Sequence, residues 1–228
     1  SASMNSTASV KPIAIFGGRG AGALAAFTLA RASSPATSPL AGFLNDFEPS
    51  GSLVEGTPIL GSFATWWHLA NSTRFLAPLH KAKEMQSRSA LIKKLGVPDG
   101  RWANIVDPAA LVSDDALIGS GVWVQAGSSV MPSARIGSHV ALRSGCQVSH
   151  DCSVEDFVSV GLGVILCGYC VVRRGAHIAP GAIIRDRITV GRYSVVGLGA
   201  VVVKDVPDGA IVVGNPAHIV GSLGGNGN

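Results

Sequence analysis

The amino-acid sequence predicts two unlike parts, an α/β unit in the first hundred residues and an all-β parallel β-helix over most of the remainder. Three observations carry this prediction. Stepping six residues at a time from Val106 to Val202 meets a branched aliphatic at all seventeen positions. Ahead of that run, a short apolar segment, Lys11 to Phe16, opens directly into a glycine loop and then a stretch of helical composition. Finally, the chain holds 29 glycines and is 47% hydrophobic with only 6% aromatics, which suits short strands joined by tight turns better than a helical bundle.

At 228 residues the chain has room for one or two domains, each with its own core. Its net charge of +4 is small and the basic residues are scattered, so the electrostatic footprint of a nucleic-acid binder is lacking. No stretch of 18 apolar residues occurs, since runs such as Val195 to Val203 are broken by glycines. No basic segment followed by an apolar core stands at the N-terminus, so neither a membrane span nor export by a signal peptide is expected. The cysteines fit a reducing compartment, the cytoplasm. Residues 1–10, with Ser1, Ala2 and Ser3 ahead of Met4, read as a cloning remnant and disordered leader. Residues 221–228 read as a disordered Gly/Asn tail.

Lys11 to Phe16 forms the first predicted strand. Gly17, Gly18, Arg19, Gly20, Ala21 and Gly22 follow, then Ala23 to Ala32 as a helix. Gly18, Gly20 and Ala23 satisfy a relaxed G-x-G-x-x-A pattern, in which glycines let backbone amides and a helix N-terminus approach a diphosphate. Taken alone this signal is weak. A second strand, Ala41 to Leu44, ends in Asn45 and Asp46, which would lie beside the glycine loop at the carboxyl end of a parallel sheet, where such sheets bind ligands. Asp46 could accept from a nicotinamide cofactor's ribose, or Asn45 and Asp46 could face the base and ribose of a nucleotide sugar; the residues by themselves do not choose. Leu76 to Leu95, apolar at Leu79, Ala82, Met85, Leu91 and Leu95, reads as an amphipathic helix with its basic residues on a wet face, and Trp66 and Trp67 read as core. Gly96 to Arg101 ends that helix, which sets the α/β unit at 11–103 and the β-helix at 104–220.

A six-residue period fits neither an α-helix nor a flat hairpin array. It fits short strands wound three to a coil. Seventeen hexads give between five and six coils at roughly 4.8 Å spacing, a prism about 25 Å long. Two residues before each aliphatic, a small residue recurs, as at Ala110, Ala116, Ala134, Cys146, Cys152, Cys170, Ala176, Ala182, Ser194 and Ala200, so both slots are expected to face inward. The slot after the aliphatic holds Gly119, Gly137, Gly161, Gly191 and Gly197, where a tight turn or close backbone approach is expected.

Among six histidines, His139, His150 and His177 fall on the prism. His150 lies two places past an inward aliphatic and is followed at once by Asp151, a carboxylate able to hold an imidazole's tautomer. That makes it a candidate base, although a satisfied surface histidine at a prism corner would look the same in sequence. A zinc site shared across a trimer, as in γ-class carbonic anhydrases, is disfavoured because the three prism histidines lack the H-x4-H spacing. Cys167 and Cys170 form a C-x-x-C, but there is one such pair and Cys170 occupies a packing slot, so no metal is expected.

The hexads of Val106 to about Val220 resemble those of hexapeptide-repeat acyltransferases. With a Rossmann-like unit ahead of them, the order of parts is similar to that of the bacterial nucleotide-amino-sugar N-acetyltransferases and the sialic acid O-acetyltransferase-like proteins. The resemblance implies a left-handed β-helix, a homotrimer with active sites in the clefts between prisms, acetyl-coenzyme A as co-substrate and a nucleotide-linked amino sugar as acceptor. His150-Asp151-Cys152 with Phe157 resembles the family's motif of His, acid, Cys, four residues and Phe. By that match His150 is the general base, Asp151 orients it, and Gly168 turns its amide to the thioester oxygen. Ser159 stands where many members carry a second histidine that contacts the acetyl donor. Coenzyme A contacts are implied for Pro180, Gly181, Leu198, Gly199, Ala200 and Lys204. Gly18, Arg19, Gly20, Gly22, Asn45 and Asp46 are implied to hold the nucleotide. O-acetylation of a sialic acid or related glycan, or a silent nucleotide-sugar-binding scaffold, stand as the alternatives.

Overall fold

A computed structural model describes residues 11–33, 39–79 and 82–223; the expectations for residues 1–10 and 224–228 lie outside the described residues. β1 (Ile13–Phe16) is fully buried and occupies the interior of a five-stranded sheet. It pairs in parallel with β2 (Leu40–Leu44) on one side and β5 (Arg74–Leu76) on the other. β4 (Thr57–Gly61) extends the sheet in parallel beyond β2, and β3 (Leu53–Val54) closes it as a hairpin on β4. Between β1 and β2, α1 (Ala21–Ala32) buries Gly22, Ala25, Thr28 and Leu29, the i, i+3, i+7 rhythm of a helix laid on a sheet.

The expected helix over Leu76 to Leu95 is shorter than predicted. Phe75 and Leu76 belong to β5, pairing with Ala14 and Ile15, and helix α2 (Met85–Leu95) begins nine residues after Leu76. Pro78 supplies the reason: it drives Ala77 away from helical backbone angles, so the apolar residues before it pair with β1 instead. The far end is as expected, with Gly96 in the left-handed conformation at φ 66° and its N–H returned to the Lys93 carbonyl. Trp66 is part of the core, its indole N–H donating to the Leu95 carbonyl at 2.8 Å, whereas Trp67 is 63% exposed and not core.

From Ile105 onward the chain winds as a three-sided prism of two-residue strands, each paired in parallel with the strand 18 residues later. Ser129, for example, sits between Leu111 and Gln147. One face runs from Leu111–Val112 to Val201–Val202, a second from Leu117–Ile118 to Thr189–Val190, and a third from Ile105–Val106 to Val195–Val196. The third face continues through Ala210–Val213, which turns back as an antiparallel hairpin on His218–Ser222. Gly221 therefore pairs with Ile211 and is not the start of a disordered tail.

Each coil places three aliphatics on the axis, and Val124, Leu142, Val148, Val160, Leu166 and Ile184 all have zero exposure. The small slot is filled as expected. Ala134, Cys146, Cys152, Cys170, Ala176, Ala182, Ser194 and Ala200 are buried, and a larger side chain there would crowd the axis. The α/β unit sits on the outside of the third face, where Ile105, Trp123 and Ala141 pack with Ile13, Leu29 and Phe43. The Trp123 indole N–H donates to Thr28 Oγ1 at 3.0 Å, and Arg31 Nε lies 2.7 Å from Asp107 Oδ2, which holds that carboxyl below the usual range. Because no single coil can bury its own aliphatics, a hole in one is felt by its neighbours. Leu166→Ala should cost about 2–5 kcal/mol of stability, read as a lowered urea midpoint; an unchanged midpoint would contradict the axial packing.

Candidate active site

Prism corners stack as well as faces. The Asp151 N–H donates to the Pro132 carbonyl at 3.1 Å, the Tyr169 N–H to the His150 carbonyl at 3.1 Å, and the Arg187 N–H to the Gly168 carbonyl at 3.0 Å. His150 and Gly168 therefore occupy equivalent positions one coil apart, on the edge between the first and second faces. Asp151 adopts φ 58°, a left-handed conformation that turns the corner, and its Oδ2 lies 2.9 Å from His150 Nδ1. Half the His150 side chain is open to solvent. Its ring meets Tyr169 edge-on at 5.2 Å and lies across Gly168.

Gly168 sits in the corner turn, but the turn is not what requires a glycine there. It does not need a positive φ, yet a Cβ there would stand 2.9 Å from both Cε1 and Nε2 of His150, so the absence of a side chain is what lets the imidazole rest on the backbone. Among the described residues the Gly168 N–H has no acceptor in the chain, while its carbonyl is taken. With Nδ1 engaged by a carboxylate, Nε2 is left to exchange a proton beside an unused amide donor. This pairing has the parts for acyl transfer, namely a base and an oxyanion donor.

Pro180, Gly181, Leu198 and Gly199 stack on a different edge, between the third and first faces, through the Gly181 N–H to Leu162 carbonyl bond at 2.8 Å and the Gly199 N–H to Pro180 carbonyl bond at 3.0 Å. Leu198 is 75% exposed there, whereas Ala200 turns its methyl onto the prism axis. Lys204 is exposed, in the loop after the last first-face strand. Within one chain these residues do not meet His150, because the whole first face lies between the two edges. Ser159 lies on the third face in register between Ala141 and His177 and is buried. Burial lowers the pKa of His177, whose Nδ1 is buried without a partner. His139 is wedged edge-on to Trp102 at 4.6 Å and stacked on Phe157 at 5.0 Å. Burial first, then the Arg88 charge, hold its pKa down to about 4, so it is a neutral packing residue. Phe157, at φ 61°, belongs to the same cluster as Phe16, Phe75 and Trp102, and so anchors the α/β unit on the prism.

In the α/β unit, Gly18, Arg19, Gly22 and Asp46 line a cavity of about 520 Å³ beside the N-terminus of α1. Gly20 caps that helix at φ 69°. Asn45 works behind the loop instead: its Nδ2 donates to the Gly17 carbonyl, its Oδ1 accepts from the Phe47 N–H at 2.7 Å, and a Cβ on Gly18 would stand 2.6 Å from its Nδ2. Asp46 Oδ1 accepts from the Phe63 N–H at 2.7 Å, which ties strand end to cavity wall. Arg88 also lines the cavity and is buried, contrary to the wet face expected for the basic residues of its helix. Arg88 shares a helix face with Met85, Ser89 and Ile92, the i, i+3, i+4, i+7 set that α2 buries, and so lies apart from the exposed Lys93 and Lys94.

No family model matches the chain, and no curated protein does. Solved structures do. Over 92% of this chain and 99% of that chain, it is 28% identical to the acetyltransferase domain of PglB from Neisseria gonorrhoeae in complex with acetyl coenzyme A, with a TM-score of 0.82. The chain shares the architecture of these acetyltransferases over nearly its whole described length. A histidine mutant of perosamine N-acetyltransferase from Caulobacter crescentus, in complex with CoA and GDP-perosamine, is 25% identical over 92% of this chain and 97% of its own, with a TM-score of 0.81. WeeI from Acinetobacter baumannii is 27% identical, with 92% and 99% covered and a TM-score of 0.79. Among the described residues no group of three or more His, Cys, Asp or Glu is placed to hold a metal ion, and no helix is long and apolar enough to cross a membrane. Cys152 and Cys170 donate to the Cys167 and Arg185 carbonyls and serve as packing.

The contact of imidazole and glycine is open to direct test. Gly168→Ala should leave the fold intact, since its backbone angles suit alanine, but should drive the His150 ring off its present site by about 1 Å or more, because real Cβ contacts do not close to 2.9 Å. A crystal structure of the variant with the ring unmoved would contradict the packing described.

Proposed function

We propose that the chain is an acetyl-CoA-dependent N-acetyltransferase acting on the amino group of a nucleotide-linked sugar. The observation that carries this reading is the imidazole of His150 resting on Gly168, with Asp151 on one ring nitrogen and the other facing outward. His150 Nε2 takes a proton from the acceptor amine as its nitrogen bonds to the acyl carbon. The Gly168 N–H holds the oxyanion of the tetrahedral species. The carbon–sulfur bond then breaks and the proton passes to the sulfur of the departing thiolate. Asp151 steadies the imidazolium while it carries the proton.

The division of labour follows the two parts. Residues 11–103 serve as a Rossmann-like binding domain, in which Gly18, Arg19, Gly20 and Gly22 surround the diphosphate and Asn45 and Asp46 shape the sugar-nucleotide side of the cavity. Residues 104–220 form a left-handed β-helix that supplies the chemistry. Coenzyme A would run along the edge of Pro180, Gly181, Leu198, Gly199 and Ala200, with Ser159 toward the acetyl end and Lys204 toward the phosphates. Since that edge and His150 flank the first face on opposite sides, a homotrimer is the reading that unites them. Leu111, Ile165 and Ile183 leave apolar surface on that face, at 63%, 39% and 37% exposure, which suits burial against sister subunits. The similarity to chains solved with acetyl coenzyme A and with GDP-perosamine supports the donor and the acceptor class. The cytoplasm is the compartment proposed, in keeping with the free thiols of Cys146, Cys152, Cys167 and Cys170.

His150→Ala should lower turnover by roughly 100-fold or more with acetyl-CoA and the best of the UDP-, GDP- and dTDP-amino sugars. The thermal midpoint should stay close to that of the parent, because the ring is exposed. Undiminished turnover would remove the base assignment.

A further inference from the structure

Arg88 is the one residue of the cavity wall whose charge is buried and without a counter-charge among the described residues. It is 6% exposed. Its Nη1 donates to the Phe157 carbonyl at 3.2 Å, and its Nη2 donates to the Ala77 carbonyl at 3.3 Å and to the His139 carbonyl at 3.0 Å. A guanidinium has five N–H donors. Three are spent, leaving one on Nη1 and the Nε–H, and Nε is buried with no partner. All three acceptors are neutral carbonyls. Its guanidinium also stands 5.9 Å from the centre of the Phe157 ring, but burying a cation against neutral dipoles and one π face is still costly, and retaining one in a cavity wall points to an anion that arrives later.

The rest of the cavity favours an anion as well. It takes in the start of α1, whose first turn carries no acidic residue and whose Gly20 cap has no side chain to take up the N–H groups ahead of Leu24. The nearby Arg19 is already shared with Glu48 at 3.4 Å and is exposed, so its contribution is screened. Asp46 and Glu84 are the acidic groups of the wall, and Asp46 is engaged by the Phe63 N–H.

We propose that Arg88 is the buried counter-cation for the diphosphate of the acceptor nucleotide, facing the α1 N-terminus across the cavity. This rests on the nucleotide-sugar reading above and adds to it a residue and a consequence. Two of the three carbonyls that fix Arg88 belong to the prism, so one side chain joins the bound phosphates to the coils that carry His139 and Phe157. The acceptor is thereby positioned against the prism rather than only against its own domain.

Calorimetric titration of UDP, GDP and dTDP into the full chain, Arg88→Lys and Arg88→Met tests this. The parent should bind at least one diphosphate, Arg88→Lys should retain affinity within about tenfold, and Arg88→Met should lose at least roughly 30-fold, the scale expected for removing one partner of a buried charge pair. A folded Arg88→Met that binds as the parent does would overturn the Arg88 assignment while leaving the nucleotide-sugar reading intact; no binding of any diphosphate to the parent would overturn both. Should Arg88→Met not fold, a crystal of the parent soaked with the diphosphate decides. A phosphate oxygen within hydrogen-bond distance of the Arg88 guanidinium is expected, and a phosphate bound out of its reach would overturn the proposal.

Discussion

The constraint on which the structure depends is the coil of 18 residues. Once three hexads close a triangle, parallel pairing fixes each residue above the one 18 places earlier, and this holds for corners as firmly as for strands. Cys152 lies over Ala134, Val148 over Val130, and Gly168 over His150, all through the same ladder. A slip of one residue would send the whole column of axial aliphatics outward and expose their apolar surface, so the hydrophobic core enforces the register that places the imidazole on the glycine.

Regularity of this kind explains why the prism was legible in sequence. The period of six, the small slot and the corner glycines each reflect one geometric demand repeated at every coil, and the structure meets them where the sequence puts them. The α/β unit has no such repetition. Its first strand and helix are readable from apolar run, glycine loop and alanine-rich stretch, but the apolar composition of β5 runs on into that of α2, and only the backbone restriction imposed by Pro78 separates the two. An indole's type favours the core for Trp67, and the sheet order is what leaves it without cover.

The same contrast runs through the candidate site. His150 and Asp151 are adjacent in sequence, so their hydrogen bond was readable; the fit of Gly168 beneath the ring depends on 18-residue stacking and becomes visible only in three dimensions. Arg88 differs again: its spacing from Met85 and Ile92 puts it on the buried face and Lys93 and Lys94 off it, yet its residue type argues for solvent, and the carbonyls of Ala77, His139 and Phe157 that hold it come from outside the helix. Adjacency in sequence suggests that Asn45 and Asp46 face a ligand together, whereas the Asn45 amide is consumed by the Gly17 carbonyl and the Phe47 N–H of the loops it ties.

Geometry within one chain leaves the base on one edge and the proposed coenzyme track on another, separated by a face bearing exposed Leu111 and Ile165. On the proposed reading a second subunit joins them across that face. The most direct measurement is a crystal structure of the assembled protein soaked with coenzyme A. The expected result is a thiol lying near His150 and the Gly168 N–H of one subunit while the rest of the molecule follows the Pro180 and Leu198 edge of its neighbour; coenzyme bound away from His150, or along an edge that no second subunit approaches, would contradict the central claim.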